Sequence, residues 1–171
     1  MERKISIRII IAAVLWLLVI LWMFFIFSMS AENSEESGKT SGKVVDKIAG
    51  IIVPGYKEMT DAEKENVRDS LSLPIRKLAH FTEYAVFGTL LSGAVTLTGR
   101  KISLSPLKAA FSLAGGWLYA LTDEFHQSFV PGRGPALKDV LIDGAGATCG
   151  FLFVLLLFCI FKRKMQKRKN D

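Results

Sequence analysis

The chain has 171 residues, 50% of them hydrophobic, and a formal net charge of +6. By length it is one domain, but that apolar share, with a mean hydropathy of +0.34, is high for a water-soluble globule and points to membrane spans. The charge does not make it a nucleic-acid binder: KRKMQKRKND, the last ten residues, carries +5 of the total and follows the uninterrupted apolar run 151–161, as a cytoplasmic membrane anchor does.

Cys149 and Cys159 both fall in this last apolar segment. On one helix they stand about 15 Å apart, too far to bridge. With no cysteine in any loop, neither a disulfide framework nor a zinc ribbon is on offer.

Residues 1–8, MERKISIR, are basic, and 9–27 are wholly apolar, long enough at roughly 20 residues to cross a hydrocarbon core. Ser28-Met29-Ser30 before Ala31 has the small-x-small look of a cleavage site, yet the apolar run exceeds the roughly 7–15 residues of a signal-sequence core. It is read as a retained first span. Residues 28–73 turn to Ser, Glu, Lys and Asp, mildly acidic and expected outside. Two short helices are predicted there. Val44, Val45, Ile48, Ile51 and Ile52 recur at helical spacing, an apolar stripe for the membrane surface or for the bundle. Thr60-Asp61-Ala62-Glu63 is a capping box opening a polar helix to about Ser70.

Pro74 suits a first helical turn, so a second span is set at 74–97, returning inward to a basic loop at 98–106. The third span, 107–127, reaches bilayer length only if Asp123, His126 and Gln127 continue the helix. A Pro/Gly loop, 128–136, contains the breaker Pro131-Gly132-Arg133-Gly134-Pro135. The fourth span is 137–161 and the basic tail 162–171. The inner pieces carry about +2, +3 and +5, which places both termini in the cytoplasm. The expected fold is an all-α, multi-pass protein of the bacterial cell membrane: a four-transmembrane-helix bundle with a short helical extracytoplasmic segment between spans one and two.

A charged side chain at bilayer depth costs roughly 2.5–3.5 kcal/mol on insertion scales, so a cluster of them is expected to be paired, water-lined or functional. Arg76, His80, Glu83 and Phe87 form one helical stripe, with Lys77 and Tyr84 beside it. Tyr119, Asp123 and His126 share a face of the third helix, with Gln127 adjoining. Asp139, Asp143, Gly146 and Gly150 share a face of the fourth, where glycines admit a neighbouring helix and so turn the aspartates into the bundle. All three sets lie in the outer halves of their helices. One pocket is therefore expected to gather Arg76, Lys77, His80, Glu83, Tyr84, Asp123, Glu124, His126, Gln127, Arg133, Asp139 and Asp143.

Four chemistries fit these residues. Arg76 and Arg133 could pair with Asp139 and Asp143 and only fix helix packing. An anion site would use Arg76, Lys77 and Arg133 on a phosphate or carboxylate head, with Tyr84, Glu124, Gln127, Asp139 and Asp143 around it. An acid–base enzyme would use His80 or His126, oriented by Glu83 or Asp123. A metal site would draw on His80, Glu83, Asp123 and His126, but the arginines nearby would repel a cation, and no metal or other cofactor is expected. No Ser or Cys has a triad-like setting, and the glycine-rich turn lacks the Lys-Ser/Thr of a phosphate loop.

Arg76-Lys77-Leu78-Ala79-His80-Phe81 with Glu83-Tyr84 and Phe87-Gly88, then Thr122-Asp123-Glu124-Phe125-His126-Gln127 with Phe129-Val130-Pro131-Gly132-Arg133, then Asp139-Val140, Asp143 and Gly146, resemble the VanZ-like family of bacterial membrane proteins. The resemblance covers about 27–156. It implies an integral membrane protein of a cell envelope, in whose namesake the function is reduced susceptibility to a glycopeptide antibiotic, teicoplanin; it supplies no reaction. The expected function is binding of an anionic or glycosylated envelope lipid or amphiphile in an outward-facing pocket. The alternatives are a membrane-embedded acid–base hydrolase or transferase on a lipid-linked substrate, and a structural scaffold. The expected partners are membrane lipids or a lipid-linked envelope component and no nucleic acid, with a homodimer through the glycine face of the last helix left open.

Overall fold

The computed structural model describes residues 2–99, 101–134 and 136–170, and only the backbone of 2–6, 34–36, 39–40 and 169–170. Pro135 of the predicted breaker and Arg100 of the predicted basic loop lie outside the described residues. Five α-helices follow one another: α1 Glu2–Ser30, α2 Ser34–Ile52, α3 Asp61–Leu97, α4 Pro106–Gln127 and α5 Leu137–Asn170, with a short 3-10 turn, Tyr56–Glu58, before α3. Among the described residues there is no strand.

α1 and α5 carry the apolar runs seen in the sequence. Within them Ile7–Ser30 and Leu137–Arg168 are long and apolar enough to cross a membrane, and these are the two such segments among the described residues. The four-span expectation is met in part. α3 and α4 fall short on composition because Arg76, Lys77 and Glu83, and Lys108, Asp123 and Glu124, leave uncharged stretches shorter than the roughly 20 residues a span needs. Leu17, Phe24, Leu156 and Ile160 face outward from α1 and α5. Such continuous apolar surface is untenable in water and suits hydrocarbon.

The helix after Thr60 does not stop near Ser70. The capping box forms as predicted: the Thr60 hydroxyl accepts from the Glu63 N–H, and the Glu63 carboxylate accepts from the Thr60 N–H at 2.8 Å. The helix then runs unbroken through Pro74 to Leu97. Proline there denies a hydrogen bond to the Ser70 carbonyl, but Ser70 is exposed and water can take that place. The boundary expected at 73/74 thus lies inside one helix. α5 likewise continues past 161, since Lys, Arg, Met and Gln are good helix formers and nothing interrupts them.

α3 is the central element, packing on α1, α2, α4 and α5 and most extensively on α5. Glycines make that last contact close. A Cβ on Gly146 would stand 2.3 Å from the Phe81 carbonyl oxygen, and on Gly88 or Gly150 it would meet the Ala147 or Ala85 carbonyl. The core is Val19, Ile26, Tyr84, Phe87, Leu91, Ala94, Val95, Ala120, Val140 and Ala147. Tryptophans tie the helices by hydrogen bonds: Trp22 Nε1 donates to the Glu83 carbonyl at 2.9 Å and Trp117 Nε1 to Thr148 Oγ1 at 3.1 Å. At the end of the bundle holding the α3–α4 loop, the Lys108 ammonium donates to the carbonyls of Thr96, Thr98 and Ser103 at 3.3, 2.6 and 3.2 Å.

α2 docks on α3 through part of its predicted stripe. Val45 and Ala49 are buried, while Val44, Ile51 and Ile52 stay exposed. Asp46 fastens it: Arg68 Nε and Nη2 donate to the two Asp46 oxygens at 2.6 and 3.0 Å, and the Tyr56 hydroxyl donates to Oδ1 at 2.5 Å. The Arg68 guanidinium, then the Tyr56 hydroxyl, hold the Asp46 carboxyl below its ordinary value.

Candidate functional site

The middle of α3, the C-terminal end of α4, the N-terminal end of α5 and the loop between α4 and α5 enclose a polar cavity of about 140 Å³, lined by Arg76, Lys77, His80, Gln127, Gly132, Arg133, Gly134, Asp139, Ile142 and Asp143. Seven of the twelve expected site residues therefore share one cavity. α3 brings Arg76, Lys77 and His80 because positions four apart lie one above another on a helix. α5 brings Asp139 and Asp143 by the same spacing. The glycine contact between α3 and α5 begins one turn further along, at Gly146, and it sets how near these two rows come.

Lys77 Nζ lies 3.3 Å from Asp139 Oδ1, at the half-exposed rim. Deeper in, His80 Nδ1 faces Asp143 Oδ1 at 3.7 Å, beyond hydrogen-bond distance. Asp143 is 1% exposed, and neither of its carboxylate oxygens accepts a hydrogen bond. A buried carboxylate without partners is costly, so such a group stands out as a functional candidate. Arg133 enters from the loop: its Nη1 donates to the Ser30 carbonyl at the C-terminal end of α1, at 3.4 Å, where a cation complements the helix dipole. Its Nε is buried without a partner. Burial, then the neighbouring Arg76, lowers the Arg133 guanidinium from its ordinary value, though arginine stays charged. Arg76 forms no hydrogen bond or ion pair among the described residues, and its head is free for a ligand.

The other five expected residues are placed elsewhere. Asp123 is buried behind the cavity, where Oδ2 accepts from the Ser30 hydroxyl at 2.9 Å and from Gln127 Nε2 at 3.3 Å. Glu124 accepts the Ala136 N–H through Oε1 and so fixes the loop ahead of α5. Tyr84 belongs to the core, its ring edge-on to Phe87. Glu83 opens onto a second cavity on the α1–α2 side, which also borders Arg76, His80 and Arg133. His126 stacks on Phe27 of α1, with ring centroids 4.3 Å apart.

The two histidines thus do not line one cavity, although His80 and Glu83 share the second. Among the described residues no three His, Cys, Asp or Glu side chains form a group that could hold a metal ion. The ion pairs differ from those expected as well: Lys77, not an arginine, meets Asp139, and His80 meets Asp143. Gly144, Gly146 and Gly150, the face offered to a second copy, are covered from within by Trp117 and by the α3 backbone.

Ser30 is the site residue that sequence reading missed. It is buried at the joint of α1, α4 and the loop, touching Asp123, Gln127 and Arg133. Its only signal was a hydroxyl closing an apolar run; nothing in spacing tells which helix receives it. The arrangement presents Arg76, Lys77 and Arg133 to an anion, and it faces His80 toward Asp143 without a hydrogen bond between them.

Searches of the curated proteins and of the solved structures found no match. The family model VanZ/LLP1 matches residues 15–161, most of the chain, and with its two outward-facing apolar helices the chain is a membrane protein of the VanZ/LLP1 family.

Proposed function

We propose that this is a four-span envelope protein with both termini cytoplasmic, whose outward polar pocket binds the anionic head of an envelope lipid or amphiphile and thereby lowers susceptibility to glycopeptides such as teicoplanin. The observation that carries the reading is the convergence of Arg76, Lys77 and Arg133 on one cavity, where, among the described residues, Arg76 is unengaged and Lys77 alone of the three meets a carboxylate at close range. Two forked guanidinium groups suit the bidentate geometry of phosphate and carboxylate. α3 and α4 complete the membrane bundle by packing their polar rows inward, against α1 and α5. Family membership supports the envelope setting and the link to glycopeptides.

The test is complementation of a deletion strain with Arg76→Ala, Arg133→Ala, His80→Ala and Asp143→Asn, reading teicoplanin susceptibility, membrane lipid profile and folded yield together. A binding pocket loses the phenotype most in the two arginine variants, at normal folded yield. Equal loss of folded protein and phenotype in all four would reduce the network to a packing device. A second reading, a membrane-embedded acid–base hydrolase or transferase, is favoured by the facing of His80 and Asp143. Under it, His80→Ala retains ligand binding but accumulates one lipid species.

A further inference from the structure

On the side of α3 away from the polar pocket, α1, α2 and α3 leave an apolar groove of about 390 Å³, walled by Trp22, Phe25, Ile48, Ile75, Leu78 and Val86. Between groove and pocket lies the second cavity, of about 170 Å³. It shares Val44, Ile75, Ala79 and Glu83 with the groove, and Arg76, His80 and Arg133 with the pocket. The three spaces therefore form a series round α3, from the face of Arg76, Lys77 and His80 to that of Leu78, Thr82 and Val86, with common walls at each junction. The groove itself follows the helix from residue 75 to 86, for about 16 Å.

Character changes along this path. The groove is lined almost wholly by hydrocarbon, and the middle cavity faces both arginines and the acids Glu32 and Glu83, so its charges are balanced. The polar pocket sets three cations, Arg76, Lys77 and Arg133, against two acids, Asp139 and Asp143, and so keeps an excess of one positive charge. An occupant that follows the path is apolar over one length and anionic at one end. We infer that the ligand is a membrane lipid with a phosphate head, its chain lying in the α1–α2–α3 groove and its head on the Arg76–His80–Arg133 wall. This deepens the anion-binding reading and rests on it. Since lipid tails are as apolar as the groove, the groove adds little raw affinity. It sets the posture of the chain and hence which lipid presents its head to the wall.

The experiment uses the full chain in phosphatidylcholine nanodiscs with two probes: phosphatidic acid carrying a diazirine in its acyl chain, and glycerol 3-phosphate as the same anion without a chain. The expected crosslinks concentrate on residues 22–25 and 75–86 and are displaced by unlabelled phosphatidic acid. Ala79 and Val44 are exposed and stand at the junction of groove and middle cavity. Ala79→Trp and, independently from the α2 side, Val44→Trp should lower this labelling by at least about tenfold and leave glycerol 3-phosphate binding unchanged. Crosslinks spread evenly over the outward faces of α1 and α5, or labelling undiminished in both tryptophan variants, would overturn the inference while the pocket reading stands. Glycerol 3-phosphate binding that survives Arg133→Ala and Arg76→Ala would remove the pocket reading and this inference together.

Discussion

Gly146→Ala asks two helix backbones to make room for a methyl group that has none. The added Cβ would lie 2.3 Å from the Phe81 carbonyl oxygen, 3.1 Å from its carbon and 3.2 Å from the Ala85 nitrogen. These are backbone atoms of α3, so no side chain can swing aside, and α3 and α5 must part by about 1 Å to restore ordinary contact. A gap of that size forfeits roughly a quarter to a half of each dispersion contact along the seam, and overpacking of this kind costs about 1–3 kcal/mol. Gly134→Ala is the matched control: its Cβ meets nothing within 4 Å and its φ is not in the left-handed range. The assay is unfolding of both variants in detergent micelles, followed by mobility or tryptophan emission. Because Asp143 lies one turn before Gly146, the same separation widens the His80–Asp143 gap, so Gly146→Ala should lose the envelope phenotype even where folded protein remains. Stability of Gly146→Ala within about 0.5 kcal/mol of Gly134→Ala would refute the close seam between α3 and α5.

Asp143→Asn should leave stability within about 1 kcal/mol of the parent, since neither carboxylate oxygen has a hydrogen bond to lose, and lower the phenotype less than Arg76→Ala or Arg133→Ala; parallel loss of folded protein would make Asp143 a structural residue. A double-mutant cycle on Trp117→Phe and Thr148→Val should give a coupling of about 0.6 kcal/mol, the usual size for interhelical hydrogen bonds in a bilayer, and a coupling near zero would deny that bond. The Asp46 clasp sets a pH dependence. Its folded value lies below the unfolded one, so its contribution is complete above about pH 4 and is lost as pH falls through the folded value. Protection of the α2 amides, the exchange rate measured against the intrinsic rate at each pH, should be constant between about pH 8 and about pH 5 and fall only in stronger acid; release of α2 near neutrality would assign its docking to another group.

The helices were legible because their causes are local. Twenty apolar residues, the Thr60 capping box and glycines recurring on one face each act within a turn or two. Pro74 was misread because a proline forbids only one hydrogen bond, and whether the helix survives depends on what else can satisfy Ser70. The candidate site was legible as a set but not as an arrangement. Helical spacing correctly put Arg76, Lys77 and His80 opposite Asp139 and Asp143, since one close seam fixes both rows. It could not allot Asp123, His126 and Glu83, whose surroundings come from α1, a helix with no charged residue near its C-terminal end to announce a partner. Trp22, Phe27 and Ser30 do that work with a ring or a hydroxyl, and such residues look like ordinary span residues in sequence.

Lys108 gathers three carbonyls at the far end of the bundle from the cavity, locking the α3–α4 turn to the last residues of α3. The joint between these two helices is thereby a fixed pivot. A parting of α3 and α4 swings them about it, like the arms of tweezers held at the base. A displacement of one ångström midway along the two helices becomes a larger one at Arg76 and Gln127, at the cavity.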